Sequence, residues 1–199
     1  MQRSHNNKAV VGVSDHAGWA VLITVERDGT IVDRRRVELV DARLPSMPHH
    51  HDAQALPVSE AVELIERVRL SVERHASLAL EALVTDVASP IQGIALRQLQ
   101  PLPPMIADRI RDYRARNVAD WVMYREVLAK AAESRGWLVH WYDRKTVFAV
   151  ASEALHAKTL DGHFLHARKT LGSPWNQDHK LAMAAAIAGH AAESDSGYA

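Results

Sequence analysis

The sequence has no cysteine among its 199 residues. That excludes disulfide staples, zinc–thiolate centres and a thiol nucleophile. It has no surplus of one charge: 24 Lys and Arg balance 24 Asp and Glu. No global field therefore draws the chain to nucleic acid or to anionic lipid. No apolar run approaches the roughly 18 residues of a membrane span, so no membrane partner is expected. Glycine-rich phosphate loops of the G-x-x-x-x-G-K-[ST] or G-x-G-x-x-G type are missing, as is a G-x-S-x-G nucleophile elbow. The opening residues MQRSHNN lead into a strand-like run rather than a signal peptide, and the expected address is cytoplasmic.

What is present is an ordinary globular composition, 47% hydrophobic and 24% charged. A chain of this size buries roughly 70% of its unfolded surface. The length suits a single domain over 1–189 with a frayed tail over 190–199. Ala9–Val13, Trp19–Val25 and Thr30–Val40 read as three consecutive antiparallel strands, with Asp28-Gly29 as a hairpin turn. Residues 41–57 hold three prolines and three histidines without a period and read as a long loop. Ile65, Val68 and Val72 recur at helical spacing in a helix that reaches about Ala79. The apolar run Ala82–Ala88 reads as a strand, and so does Trp137–Tyr142. Gly93–Leu96 is ambiguous. Ile106, Ile110 and Tyr113 mark one helix, Val118–Arg135 a second that stops at Gly136, and Asp143–Leu155 a third. Residues 157–172 are poorly patterned, and Ser173-Pro174 opens a last, alanine-rich helix ending at Gly189. The expected fold is α/β. A three-strand antiparallel meander joins two parallel strands in a mixed five-stranded sheet with flanking helices.

Three acids stand out by position. Asp15 follows the first strand, Asp86 lies in the ALVTDVA run, and Asp178 shares a helix face with Leu181, Ala182 and Ala185. An acid on that apolar stripe points at the sheet and needs a partner or a metal. If the three converge, divalent cations relieve their repulsion, and two such ions can clamp a phosphodiester during hydrolysis. Each also has a plainer reading. Asp15 suits a turn, Asp86 an ion pair with an arginine, and Asp178 the positive end of a helix dipole.

The element order and these acids resemble the ribonuclease H-like superfamily, and within it the Holliday-junction resolvase branch of RuvC-like and YqgF-like proteins. The segments that carry the resemblance are VVGVSDHAGWAVLITV, WYDRKTVFAVASEAL and QDHKLAMAAAIAG. The resemblance spans most of the chain in order, with short motifs. It implies a ribonuclease H-like fold and a hydrolase, a nuclease or phosphodiesterase acting on nucleic acid with Mg or Mn. It assigns metal-binding roles to Asp15 and Asp178, and matches Asp86 more loosely to the acid of the fourth strand. Lys180 or Arg144 would stabilise developing phosphate charge. The sequence departs from the family in a very tight first turn and in having His179 and Lys180 where a second closing-helix acid would stand.

Twelve histidines are many for this length. His49, His50 and His51 follow the third strand, which runs parallel to the first. The loop therefore emerges at the same sheet end as Asp15. Neutral imidazole is a metal ligand and a base near neutral pH, so His16, His50 and His51 are candidate ligands beside the carboxylates. The plainer reading is a solvated loop. From Arg97 to Lys145 ten bases outnumber six acids, with Tyr113, Trp121 and Tyr124 interleaved. Such a face either holds phosphates and stacks bases or is solvated by intrahelical ion pairs. Two alternatives to the nuclease remain: a non-catalytic ribonuclease H-like binding or scaffold protein, and a small-molecule metallohydrolase using the His loop with Asp15. The oligomeric state is open.

Overall fold

The computed structural model describes residues 8–196. The MQRSHNN segment and the last three residues of the expected tail lie outside the described residues. Five strands form one sheet in the order β3-β2-β1-β4-β5. They are β1 (Ala9–His16), β2 (Trp19–Glu26), β3 (Ile31–Glu38), β4 (Ile91–Arg97) and β5 (Leu138–Tyr142). The first three pair antiparallel, and β4 and β5 continue parallel to β1. This is the mixed sheet expected from the sequence.

One of its two later strands comes from a different segment, however. The run Ala82–Ala88 is not a strand. Helix α1 extends over Val58–Asp86 and absorbs most of it. The reason is periodicity. Ala61, Ile65, Val68, Val72, Ala76, Leu80 and Leu83 form one unbroken buried stripe, and tertiary burial of that stripe overrides the β propensity of Val84 and Thr85. The fourth strand is instead the ambiguous stretch around Gly93. Gly93 is required there, since a Cβ would lie 2.9 Å from the His140 ring and 3.1 Å from the Leu138 carbonyl oxygen.

Two helical layers cover the sheet. Helices α1 and α3 (Tyr113–Glu133) bury Val11, Val13, Ala20 and Leu22 on one face. On the other face α6 (Gln177–Ser196), with α4 (Val147–Ala154) and α5 (Asp161–Leu171), buries Val10, Val21, Ile23 and Ala95. The short α2 (Ile106–Arg111) precedes α3. Odd-numbered residues of β1 thus face α1 and α3, and even-numbered ones face α6. Gly12 lets α6 lie directly on β1, because a Cβ there would sit 1.9 Å from the Ala182 carbonyl oxygen.

The last helix differs from expectation at both ends. It opens at Gln177, where the Asn176 side chain accepts from the backbone N–H groups of Asp178 and His179. It also continues past Gly189, with His190 buried and its ring nitrogen 2.9 Å from the Val25 carbonyl oxygen. Residues 161–171, poorly patterned in sequence, form α5. No described helix is long and apolar enough to cross a membrane.

Candidate functional site

The carboxyl ends of β1, β4 and β5 meet at one edge of the sheet. In open α/β sheets this edge is where ligands bind. Its chemistry is divided between the two faces by the alternation of β1.

On the α6 face stand Ser14, His16 and Asp178. Ser14 Oγ donates to Asp178 Oδ1 at 3.1 Å, and His16 Nε2 donates to the same oxygen at 2.9 Å. The His16 and Asp178 side chains are 40% and 25% exposed, so this cluster is open to solvent. The β1–β2 turn places His16 directly opposite Trp19, and their rings stack at 4.0 Å. The Arg36 guanidinium lies 3.9 Å from the Trp19 ring. Arg36, Trp19 and His16 therefore form a ladder across β3, β2 and β1 that fixes the imidazole against Asp178. The neighbouring His179 is held below its ordinary pKa, first by burial and then by the positive charge of Arg34, with Asp178 opposing both.

Asp15 is on the opposite face. Its Oδ2 accepts from Arg125 Nε at 2.8 Å, and both side chains are only 3% exposed. Arg125, from α3, also donates to the Gln98 carbonyl oxygen after β4. This buried pair ties α3 to the ends of β1 and β4. Tyr142 closes β5, and its hydroxyl donates to the Val13 carbonyl oxygen at 2.8 Å. Burial is the main cause that pushes this phenol's pKa up.

The three expected acids do not come together. Asp178 is at the edge with a partly exposed carboxylate. Asp15 reaches the same edge but turns to the other layer. Asp86 is the last residue of α1, beside the start of β4. Ala9, which pairs with Ile91, is six residues and about 20 Å of strand from Asp15. The Asp86 side chain is 61% exposed and accepts from Arg35 at 3.3 Å, the ion-pair alternative weighed in sequence. The fourth strand, IQGIALR, contains no acid.

The other candidates also separate. Lys180 extends over the Phe164 ring of α5 at 5.7 Å. The His loop does emerge at the Asp15 end of the sheet, but it folds onto α3. The buried Asp120 carboxylate accepts from the backbone N–H groups of His49 and His50 and from His49 Nδ1. Tyr124 donates to the Ser46 carbonyl oxygen. His50 and His51 pack edge to face on each other, on the opposite layer from His16. Among the described residues no group of three or more His, Asp or Glu side chains could hold a metal ion. The residues present therefore do not fit the expected Mg or Mn pair.

Sequence reasoning missed Ser14, Asp120 and Arg125. Ser14 and Asp15 are adjacent, and only strand parity decides which faces α6. That parity was readable from Gly12, two residues before Ser14, as the position where a helix must approach closely. Asp120 and Arg125 sit in a helix with no clean apolar stripe, and nothing local marks their partners.

In the order β3-β2-β1-β4-β5, β2 alone is antiparallel to its neighbours β1 and β3, the mixed arrangement expected from the sequence. Neither a family model nor a curated protein matches the sequence. Among solved structures, the chain is similar to Thermus thermophilus RuvC in complex with a Holliday junction substrate, with 13% identity, a TM-score of 0.47 and 94% of this chain and 96% of that one covered. It is similar to the Thermus thermophilus RuvC structure by itself at 16% identity, with the same TM-score and coverage.

Proposed function

We propose that this chain is a nucleic-acid-binding protein of ribonuclease H-like fold that does not cut its ligand by three-carboxylate, two-metal chemistry. The observation that carries the reading is the burial of Asp15 against Arg125, on the face of β1 turned away from Asp178. A carboxylate neutralised by a buried guanidinium has little left to offer a cation.

Binding to nucleic acid is supported by the charge of segment 97–145, a net +4 in a chain of zero net charge, and by where its bases lie. The N-terminus of α3 is at the same edge as the strand ends, since its C-terminus feeds β5. There Tyr113 is 70% exposed, with the Arg116 guanidinium 5.8 Å from its ring and Arg111 and Arg114 exposed beside it. An exposed ring among guanidinium groups is a stacking platform for bases.

The nuclease reading keeps one specific observation in its favour, the partly exposed Asp178 carboxylate beside His16 and Ser14. One experiment separates the two. Labelled single-stranded, duplex and branched DNA and RNA are incubated with the protein and Mg²⁺ or Mn²⁺, and both binding and cleavage are read. Binding without cutting, unchanged in Asp178→Asn, is expected. Metal-dependent cutting that disappears in Asp178→Asn would overturn the reading and put the nuclease in its place.

A further inference from the structure

The fourth strand ends in a base at the place where the sequence resemblance calls for an acid. Gly12 pairs with Ala95, so the next residues on the α6 face of the two strands are Ser14 and Arg97. Arg97 pairs in turn with Tyr142 of β5. The line Asp178, Ser14, Arg97, Tyr142 thus crosses the sheet edge from α6 to the last strand. Arg144 follows two residues after Tyr142 and is exposed, and Lys145 stands beside it.

Arg97 is half-buried, yet no carboxylate, carbonyl or ring among the described residues holds its guanidinium. Among the described residues the Arg144 guanidinium has no hydrogen-bond or ion-pair partner either. The acids nearby are already engaged. Asp15 is paired with Arg125, Asp178 accepts from Ser14 and His16, and the Asp143 carboxylate accepts from the Lys145 backbone N–H. A guanidinium with no protein partner keeps its donor fork available, and a phosphate oxygen pair is the ligand that fork matches best.

We infer that Arg97 and Arg144 form a metal-free phosphodiester-binding site at the carboxyl ends of β4 and β5. Where the resemblance expects carboxylates gathering cations, this edge gathers cations to receive an anion directly. The backbone of a nucleic acid would then enter from the Tyr113 platform and cross the strand ends. The choice of a phosphodiester over another phosphate rests on the nucleic-acid reading above; the anion site itself does not.

The test is fluorescence anisotropy with a labelled single-stranded oligonucleotide across a salt series, and separately a thermal-shift titration with inorganic pyrophosphate. Arg97→Ala with Arg144→Ala should weaken oligonucleotide binding about ten-fold. It should also flatten the log–log salt slope by about 1.4, the value for two lost single-strand phosphate contacts. Arg74→Ala, an exposed arginine on α1, should change neither. If the wild type binds oligonucleotide and the double variant binds equally well with the same slope, the inference fails and the nucleic-acid reading stands. If the wild type binds pyrophosphate, loses it in the double variant and binds no oligonucleotide, the site stands and that reading fails. If the wild type binds neither probe, both are overturned. A far-ultraviolet melt of each variant keeps misfolding distinct from lost binding.

Discussion

Replacing Asp15 by asparagine separates a metal ligand from a structural ion-pair partner by the sign of one number. A carboxylate held near other carboxylates for a cation destabilises the metal-free fold, and its neutralisation stabilises that fold. A carboxylate held against a buried guanidinium does the opposite. Here the Asp15 and Arg125 side chains are each 3% exposed and lie 2.8 Å apart. Removing one partner of such a pair leaves an uncompensated buried charge, which costs about 3–5 kcal/mol. Asparagine still offers an oxygen to Arg125 Nε, so the lower end, about 3 kcal/mol, is expected for Asp15→Asn. At roughly 2–4 °C per kcal/mol for a domain of this size, the midpoint falls by about 6–12 °C. Urea unfolding followed by circular dichroism, without added metal, gives the number directly. Pairing Asp15→Asn with Arg125→Gln closes a double-mutant cycle, and the two losses should fall short of adding because the interaction is lost only once. An Asp15→Asn protein as stable as the wild type, or more stable, would refute the assignment of Asp15 to structure.

Four further expectations follow from the same geometry. Gly12→Ala should destabilise by about 3 kcal/mol or more, because α6 backbone rather than a flexible side chain blocks the new Cβ; a thermal melt within a degree of wild type would contradict the close approach. Asp86→Ala should stay within about 0.5 kcal/mol of wild type, since its pair with Arg35 is exposed, and a large loss in urea unfolding would show the acid to be structural. Asp120→Ala should free the 41–57 loop, which hangs on it through three hydrogen bonds. Limited proteolysis should then cut near His49–His51, and resistance equal to wild type would sink that role. Alkaline spectrophotometric titration should find Tyr124 and Tyr142 silent around the ordinary phenol pKa of about 10, because burial raises both phenols. The unfolded chain releases those protons near the ordinary phenol pKa of about 10 and the folded one does not. Stability is therefore complete below about pH 10 and is lost as pH climbs toward the raised folded values. Ionisation of Tyr124 and Tyr142 near pH 10 in the folded protein would contradict the burial.

Much of the fold was legible in the amino-acid sequence because it is written in local periods. Strand alternation, the Asp28-Gly29 turn and the helical stripe from Ala61 announce their elements without reference to anything distant. The absence of cysteine and of glycine-rich phosphate loops likewise settled which chemistries to set aside. The short apolar run at 82–88 was not legible locally, because four to eight apolar residues serve a strand or a helix equally, and only burial of the whole α1 stripe chooses. The site was less legible still. Asp178 facing the sheet followed from its spacing to Leu181 and Ala182, and the structure places it beside β1. Which of Ser14 and Asp15 it meets depends on strand parity, a one-residue matter that reverses the face of every side chain. That Asp15 is neutralised by Arg125, that His49 is captured by Asp120, and that Arg97 ends the strand beside Ser14 are pairings across large sequence separations. Sequence fixes which residues can pair, but only the packing of α3 and α6 on opposite faces of β1 decides which ones do.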